Sequence, residues 1–192
     1  MHVLIVISHP RPNSFTHALT QRFAEGAQAA GHTVEFADLH AEGFDPRWQA
    51  EDEPQFEDGP SPDDVLAEQA RIERCDALCL AFPLYWYGMP ALLKGWVDRV
   101  FTWNWAYDQV ENPDVSLLRD RIGVMLVPAA ANTGKWTQDS LGTVAQRIWD
   151  EGSMRYFGFK DQRIHVLGGA EGSPARREGL LAQAYDAGQA LG

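Results

Sequence analysis

Only two cysteines occur in the 192 residues, Cys75 and Cys79. Four positions apart at the start of a predicted strand, they would share a face yet stand about 13 Å apart, too far for a disulfide. No His or Cys lies nearby at zinc-ligand spacing, so no metal site is expected, and the pair reads as buried free thiols in a reducing compartment. Basic residues are scarce too. Sixteen Lys and Arg against 27 Asp and Glu leave a net charge of −11. That argues against a nucleic-acid-binding surface, which needs a basic stripe, and disfavours anionic lipid headgroups. The N-terminal apolar run is too short to span a bilayer and has no basic segment before it, so the expectation is a cytoplasmic protein without membrane insertion. Internal repeats and linkers are also missing. With 45% hydrophobic and 22% charged residues the composition is globular, which predicts one domain over residues 1–192.

The chain reads as strands alternating with helices. Val3–Ile7 is a continuous β-branched run, the pattern of a strand buried on both faces. A polar loop, His9-Pro10-Arg11-Pro12-Asn13-Ser14, follows it. Phe15, Ala18, Leu19 and Phe23 then recur at helical spacing up to Gly31, with Asn13 or Ser14 as N-cap. Thr33–Leu39 alternates as a second strand. Residues 41–62 form a long excursion rich in Gly, Pro and acid, either a functional lid or a solvated loop. A helix from Pro62 to Arg74 should bury Val65, Leu66, Ala70 and Ile72, and Asp76–Phe82 is the third strand. A helix restarts at Pro90, followed by an aromatic cluster at residues 102–107 and a polar connection. Arg121–Val127 is the fourth strand and residues 128–134 its terminal loop. Thr137–Glu151 reads as a helix with Leu141, Val144, Ile148 and Trp149 on one side. Gln162–Leu167 is the fifth strand, and Pro174–Leu191 closes the chain as a helix. This alternation predicts a doubly wound parallel α/β sheet, and right-handed crossovers favour the order 2-1-3-4-5.

In that order the switch point falls between the first and third strands, where ligands bind beyond the carboxyl ends. The loop before the first helix lacks both the Walker pattern and Gly-x-Gly-x-x-Gly, which argues against a nucleoside triphosphatase and a standard nicotinamide domain. It still offers a helix N-terminus, so a phosphate is expected at Ser14, Phe15 and Thr16. Opposite it, Pro83-Leu84-Tyr85-Trp86-Tyr87-Gly88 carries three aromatic rings. They either pack over the next helix or wall a planar ligand. A phosphate at one loop and a flat ring at the other describe a flavin. His9 is read as structural or phosphate-contacting rather than as a general base, and His17, His32, His40 and His165 as isolated surface residues.

The residues His9, Ser14 and Phe15, together with Phe82-Pro83-Leu84, Trp86, Gly88, Pro90-Ala91, Leu93-Lys94-Gly95-Trp96 and Arg99-Val100-Phe101, resemble the NAD(P)H:quinone oxidoreductase family. That family includes bacterial relatives called modulators of drug activity and ancillary subunits of potassium efflux systems. The resemblance covers nearly the whole chain. It implies a flavodoxin-like fold, a homodimer, and non-covalent FAD or FMN carrying hydride from NAD(P)H through flavin N5 to a quinone-like acceptor by a ping-pong mechanism. By position it implies that His9, Ser14, Phe15 and Thr16 meet the phosphate side, Pro83 and Leu84 to Tyr87 the isoalloxazine, and Pro128, Ala129, Ala130, Ala131 and Asn132 the turn beneath it. Tyr107 and Trp105 would line the substrate pocket.

Two departures stand out. A Thr-Thr-Gly-Gly-like turn is replaced by Pro128-Ala129-Ala130-Ala131. A Tyr with a His six residues later, thought to stabilise the reduced flavin in the animal enzymes, is replaced by Trp136 and Gly142. The donor toward flavin N1/O2 is then expected from backbone of the Ala130–Thr133 turn, Lys135 or the Trp136 indole. The altered loop leaves open a regulatory subunit that binds a membrane transport partner with little turnover. A one-electron carrier suits the acidity but not the cluster of Trp103, Trp105 and Tyr107. If the cofactor is FAD, the segment 168–177 is the candidate for its adenine, with Arg176 or Arg177 either at the pyrophosphate or solvated on the final helix, and an exposed aromatic helix face including Trp96 would support the homodimer that the resemblance implies.

Overall fold

The structure, a computed structural model, describes residues 1–57, 59–107, 118, 120–159 and 161–192, with Lys135 by its backbone only. The side chain of Lys135 and the polar connection at 108–117 and 119 therefore lie outside the described residues.

Five parallel strands, β1 His2–Ile7, β2 Thr33–Asp38, β3 Ala77–Ala81, β4 Ile122–Ala129 and β5 Asp161–Gly168, form one sheet in the order 2-1-3-4-5. Helices α1 Phe15–Ala29 and α5 Pro174–Gln189 cover one face, and α2 Asp63–Arg74, α3 Ala91–Val100 and α4 Leu141–Trp149 cover the other. This is the flavodoxin-like arrangement. Alternating strand residues feed the two faces: Leu78 and Leu80 join the core under α2 to α4, while Ala77, Cys79 and Ala81 join the core under α1 and α5. Cys75 lies just before β3, at the end of α2, and faces the opposite core from Cys79, so the expected shared face is wrong. Burial pushes the Cys75 thiol up to about 11, so both cysteines stay as thiols. Among the described residues, no helix is long and apolar enough to cross a membrane.

Helices α1 and α5 meet backbone to backbone. A Cβ built on Gly26 would collide with the Tyr185 carbonyl oxygen, and one on Gly188 with the Phe23 carbonyl oxygen. Neither neighbour is a side chain that can swing away, so the helices themselves would have to separate. Gly188→Ala is therefore expected to cost at least about 1–3 kcal/mol, with thermal denaturation falling by about 2–4 °C per kcal/mol. An unchanged midpoint would mean the helices are not in such close contact.

Several polar residues are buried where the apolar pattern alone could not place them. In α2, Leu66 is exposed, whereas Glu68 and Gln69 are inside. Glu68 accepts a 2.9 Å bond from the Trp96 indole, and Gln69 donates 2.9 Å bonds to the Val100 carbonyl and to Thr102 Oγ1. Trp96 is consequently buried completely and presents nothing to a partner, which corrects the expected dimer face. The excursion after β2 is largely exposed to solvent, yet it is anchored through Asp52 and Gln55, which are buried. It contains a 3₁₀ helix, Ala50–Glu57, and its backbone at Pro46 lies directly on Gly95 of α3. Buried Arg99 donates to Asp52 Oδ1 at 2.9 Å, to the Asp45 carbonyl at 2.8 Å and to Asp64 Oδ2 at 2.6 Å.

Helix α4 starts four residues later than expected, at Leu141. It buries Gly142, Ala145 and Trp149, while Leu141, Val144 and Ile148 point outward. Two adjacent stripes at helical spacing were available, and periodicity could not decide which one meets the sheet. A π-helical turn, Asp150–Met154, continues it. Strand β4 runs on through Pro128 and Ala129, which are therefore strand residues rather than loop. Pro128 is tolerated there because β3 has already ended and no β3–β4 ladder bond is lost.

Candidate active site

Three loops leave the carboxyl ends of adjacent strands β1, β3 and β4 and meet over one edge of the sheet. The first is a tight polar turn. The imidazole of His9, almost buried, accepts the Arg11 N–H at Nδ1 over 3.1 Å, and Ser14 N–H donates to the Arg11 carbonyl at 3.1 Å. Burial, then Arg11 and His17, hold His9 below the usual histidine range, so it works as a neutral acceptor that fixes the loop. Ser14 caps α1, its Oγ accepting the His17 N–H at 3.3 Å. The N–H groups of Phe15 and Thr16, at the first positions of the helix, then have no intrahelical acceptor. Beneath them Ser8 Oγ is fully buried and has no hydrogen-bond partner. This donor set suits a phosphate.

The second loop is a hairpin only two residues long. Tyr85 and Gly88 exchange N–H to carbonyl bonds of 3.2 and 2.8 Å. Between them Trp86 and Tyr87 both adopt positive φ, 51° and 61°. That is the geometry of a type I′ turn, normally built from Asn-Gly. For two aromatic residues it stores about 1–2 kcal/mol each. Such a turn would relax if packing were its purpose, yet the Trp86 side chain is 99% exposed and Tyr85 and Tyr87 are nearly half exposed. The alternative of packing over the next helix is therefore excluded for Trp86. Leu84 N–H ties the loop to the Pro128 carbonyl at 2.9 Å.

The third loop begins at Ala130 and is joined to the end of β5 by Gly169 N–H to Ala131 carbonyl at 3.0 Å and Ala170 N–H to Ala129 carbonyl at 2.9 Å. Asn132 Oδ1 accepts Gly134 N–H at 3.1 Å and starts a 3₁₀ turn, Thr133–Lys135. The Trp136 ring then lies flat against Gly142, where any Cβ would penetrate the indole. The two replacements that make up the second departure, Trp136 and Gly142, are thus one feature: the glycine makes the seat that the larger ring needs. Trp136 also comes within 6.5 Å of the Tyr87 ring, tilted by 48°. His9, Ser14, Phe15, Thr16, Leu84 to Tyr87, Ala130 to Asn132 and Trp136 are brought to this edge of the sheet.

Tyr107 and Trp105 are not. Tyr107 lies 5.3 Å from the Tyr156 ring in a separate groove of about 770 Å³, with Trp48, Phe56, Ile148 and Phe157 in its walls. Burial and then Tyr156 raise its hydroxyl above the usual tyrosine range. Trp105 stands behind that groove, edge-on to Phe101, its indole N–H donating to Glu73 at 2.8 Å. Another groove, about 480 Å³, continues from the phosphate loop between Arg11 and Arg177. Arg177 lies 4.5 Å over the Phe15 ring, whereas Arg176 folds back onto the Gly168 carbonyl at 2.6 and 3.0 Å. Of the two arginines open in the sequence, only Arg177 faces this groove. His17, read as an isolated surface residue, is bonded to both Ser14 and Asp38; no local sequence signal marks a partner 21 residues away.

Comparison with known proteins places these features. The sequence profile described as flavodoxin-like fold matches residues 1–191. Ribosyldihydronicotinamide dehydrogenase [quinone] of Rattus norvegicus is 28% identical over 201 residues, covering 94% of this chain and 87% of that protein. The solved NAD(P)H:quinone oxidoreductase from Methanothermobacter marburgensis superposes with a TM-score of 0.88 at 33% identity, over 100% of this chain and 96% of that one. An FMN-dependent NADH-azoreductase from Bacillus anthracis, solved with FMN, shares the fold alone, with a TM-score of 0.75 at 17% identity over 99% of this chain and 98% of that one. The strained aromatic hairpin, the phosphate-type helix start and the matched length agree: the chain belongs to the NAD(P)H:quinone oxidoreductase family of enzymes, on a flavodoxin-like fold.

Proposed function

We propose that the protein is a flavin-dependent NAD(P)H oxidoreductase that reduces quinones or similar planar acceptors. The observation that carries this reading is the pair of αL aromatic residues, Trp86 and Tyr87, held open opposite the N-terminus of α1. The bound flavin would supply N5 as hydride acceptor from NAD(P)H and then as donor to the quinone, in alternation. The chain's own residues bind and orient. Phe15 and Thr16 N–H with Ser14 Oγ face the phosphate, Leu84 to Tyr87 wall the ring, and the Ala130–Thr133 backbone and Trp136 stand on its far side. Catalysis is then mostly positioning and exclusion of water. The fold neighbour that holds FMN agrees with a flavin here. The groove between Arg11 and Arg177 offers the longer cofactor, FAD, a place for its second phosphate.

A homodimer follows from the same reading. Leu141, Val144 and Ile148 form an exposed apolar stripe on α4, adjoining the stacked Trp48 and Phe56 and the exposed Tyr156. A second copy is the partner that would cover this face. Tyr107 lies in the groove beside Tyr156, so its role toward the acceptor requires that copy to bring it across.

Steady-state reduction of a soluble quinone by NADH or NADPH, with both substrates varied, tests the reading. Parallel double-reciprocal lines and turnover that depends on added FMN or FAD are expected. Flavin binding with negligible turnover would favour the regulatory-subunit alternative, and turnover without flavin would overturn the proposal.

A further inference from the structure

Ser14, His17 and Asp38 form a hydrogen-bonded chain at the start of α1. Ser14 Oγ is 2.7 Å from His17 Nδ1, and His17 Nε2 is 2.9 Å from Asp38 Oδ2. Ser14 is almost fully buried, whereas His17 and Asp38 are part-buried and line a groove of about 500 Å³ beside the helix start. Burial alone would raise the Asp38 carboxyl, but bonds from His17 and from the Ala41 and His40 N–H groups outweigh it and hold it below the usual range. Asp38 is thus ionised and can only accept, which fixes a proton on His17 Nε2. The His9 ring lies edge-on to His17, at 6.3 Å between centroids, and Arg11 and His40 act on His9 in turn.

The consequence falls on Ser14. When His17 is neutral its Nδ1 carries only a lone pair, so the contact is made by the Ser14 hydroxyl proton. Ser14 Oγ then turns lone pairs toward the helix start, the wrong polarity for a phosphate. When His17 is protonated, Nδ1–H donates to Oγ and the hydroxyl proton is released to point at an anion. One proton on His17 therefore turns Ser14 from an acceptor into a donor and adds a positive charge behind it.

We propose that His17, oriented by Asp38, is a positioning residue that couples binding of the flavin phosphate at Ser14 to uptake of a proton. The inference rests on the flavin reading above. Its sign is fixed: binding is stronger with His17 protonated, so affinity is lost as pH rises. A lone capping serine without this chain would give no such coupling.

The test is titration of FAD, FMN and riboflavin into flavin-free protein between about pH 5 and about pH 8, where histidines change charge. Calorimetry in buffers of different ionisation heat counts protons at the same time. FAD is the cleaner probe, because the phosphate monoester of FMN itself titrates in this range. Wild type should bind FAD about tenfold more weakly at the upper pH, the value of one charge-assisted hydrogen bond, with net proton uptake. His17→Gln should remove both the uptake and the pH dependence. Asp38→Asn, which no longer fixes the tautomer, should reduce both. Riboflavin, lacking phosphate, should show neither. FAD binding with equal pH dependence in wild type and His17→Gln would overturn the inference while leaving the flavin reading intact. Failure of every flavin to bind at any pH would remove both. Circular dichroism of the variants separates loss of binding from loss of fold.

Discussion

Replacing Trp86 and Tyr87 together by Asn and Gly is expected to make the protein more stable and far less active. The two residues occupy the central positions of a type I′ turn with φ of 51° and 61°, the conformation for which Asn-Gly is the preferred pair. Little is lost from the fold by removing the side chains, since Trp86 is 99% exposed and Tyr87 makes one tilted ring contact, with Trp136. Relief of the left-handed strain, less the added entropy of the unfolded glycine, leaves a gain of about 1–2 kcal/mol. The backbone of the loop, tied by Leu84 to Pro128, is unchanged, so flavin affinity should fall less than turnover does. The wall that orders the nicotinamide and the acceptor disappears, and kcat/KM should drop by about tenfold or more. Thermal denaturation beside quinone-reduction kinetics checks both halves. A variant that is less stable, or as active as wild type, would show that the turn is not held in strain for the site.

Arg99→Met should be the most damaging single change to the fold. It leaves the Asp52 carboxylate, which is completely buried, with no cation among the described residues, and removes the Arg99 donor from the Asp45 carbonyl and from Asp64. Removing one partner of a buried ion pair costs about 3–5 kcal/mol, on the order of 10 °C in a chain of this size. Adding Asp52→Asn should return part of that loss, because the uncompensated charge is then gone. The same contacts pin residues 44–64 against α3, so limited proteolysis should open the single variant in this segment first. A double variant no better than Arg99→Met would mean that packing over Phe44, rather than charge, dominates at Arg99.

The sheet was legible in the sequence because its central strands β1, β3 and β4 are buried on both faces and read as apolar runs, while β2 at the edge shows the alternation of a half-covered strand. Their order followed from the handedness of the crossovers, and Ser14 as N-cap from local chemistry. What could not be read depends on partners distant in sequence. Glu68 and Gln69 are inside because Trp96 and Thr102 meet them, which no window on α2 contains. The outward stripe of α4 and the buried Trp96 reversed expectation for the same reason: amphipathic spacing states that a face exists, and the rest of the fold decides what it faces. In the site, the loops were legible from strand ends followed by helix starts. The His17 chain was hidden because β2 supplies Asp38, and the meaning of Gly142 was hidden because only the fold lays Trp136 upon it. Tyr107 shows the converse limit: the resemblance put it at the substrate pocket, whereas the fold puts it beside Tyr156 in a separate groove.

The central claim is that the edge of the sheet between the α1 N-terminus and the Leu84–Tyr87 loop holds a flavin. Mass spectrometry of the small molecule released from the purified, denatured protein, quantified against chain concentration and repeated after incubation with FMN and FAD, tests it most directly. One flavin per chain is predicted, with the released mass deciding between the two cofactors; a colourless protein that remains colourless after incubation with both would contradict the account.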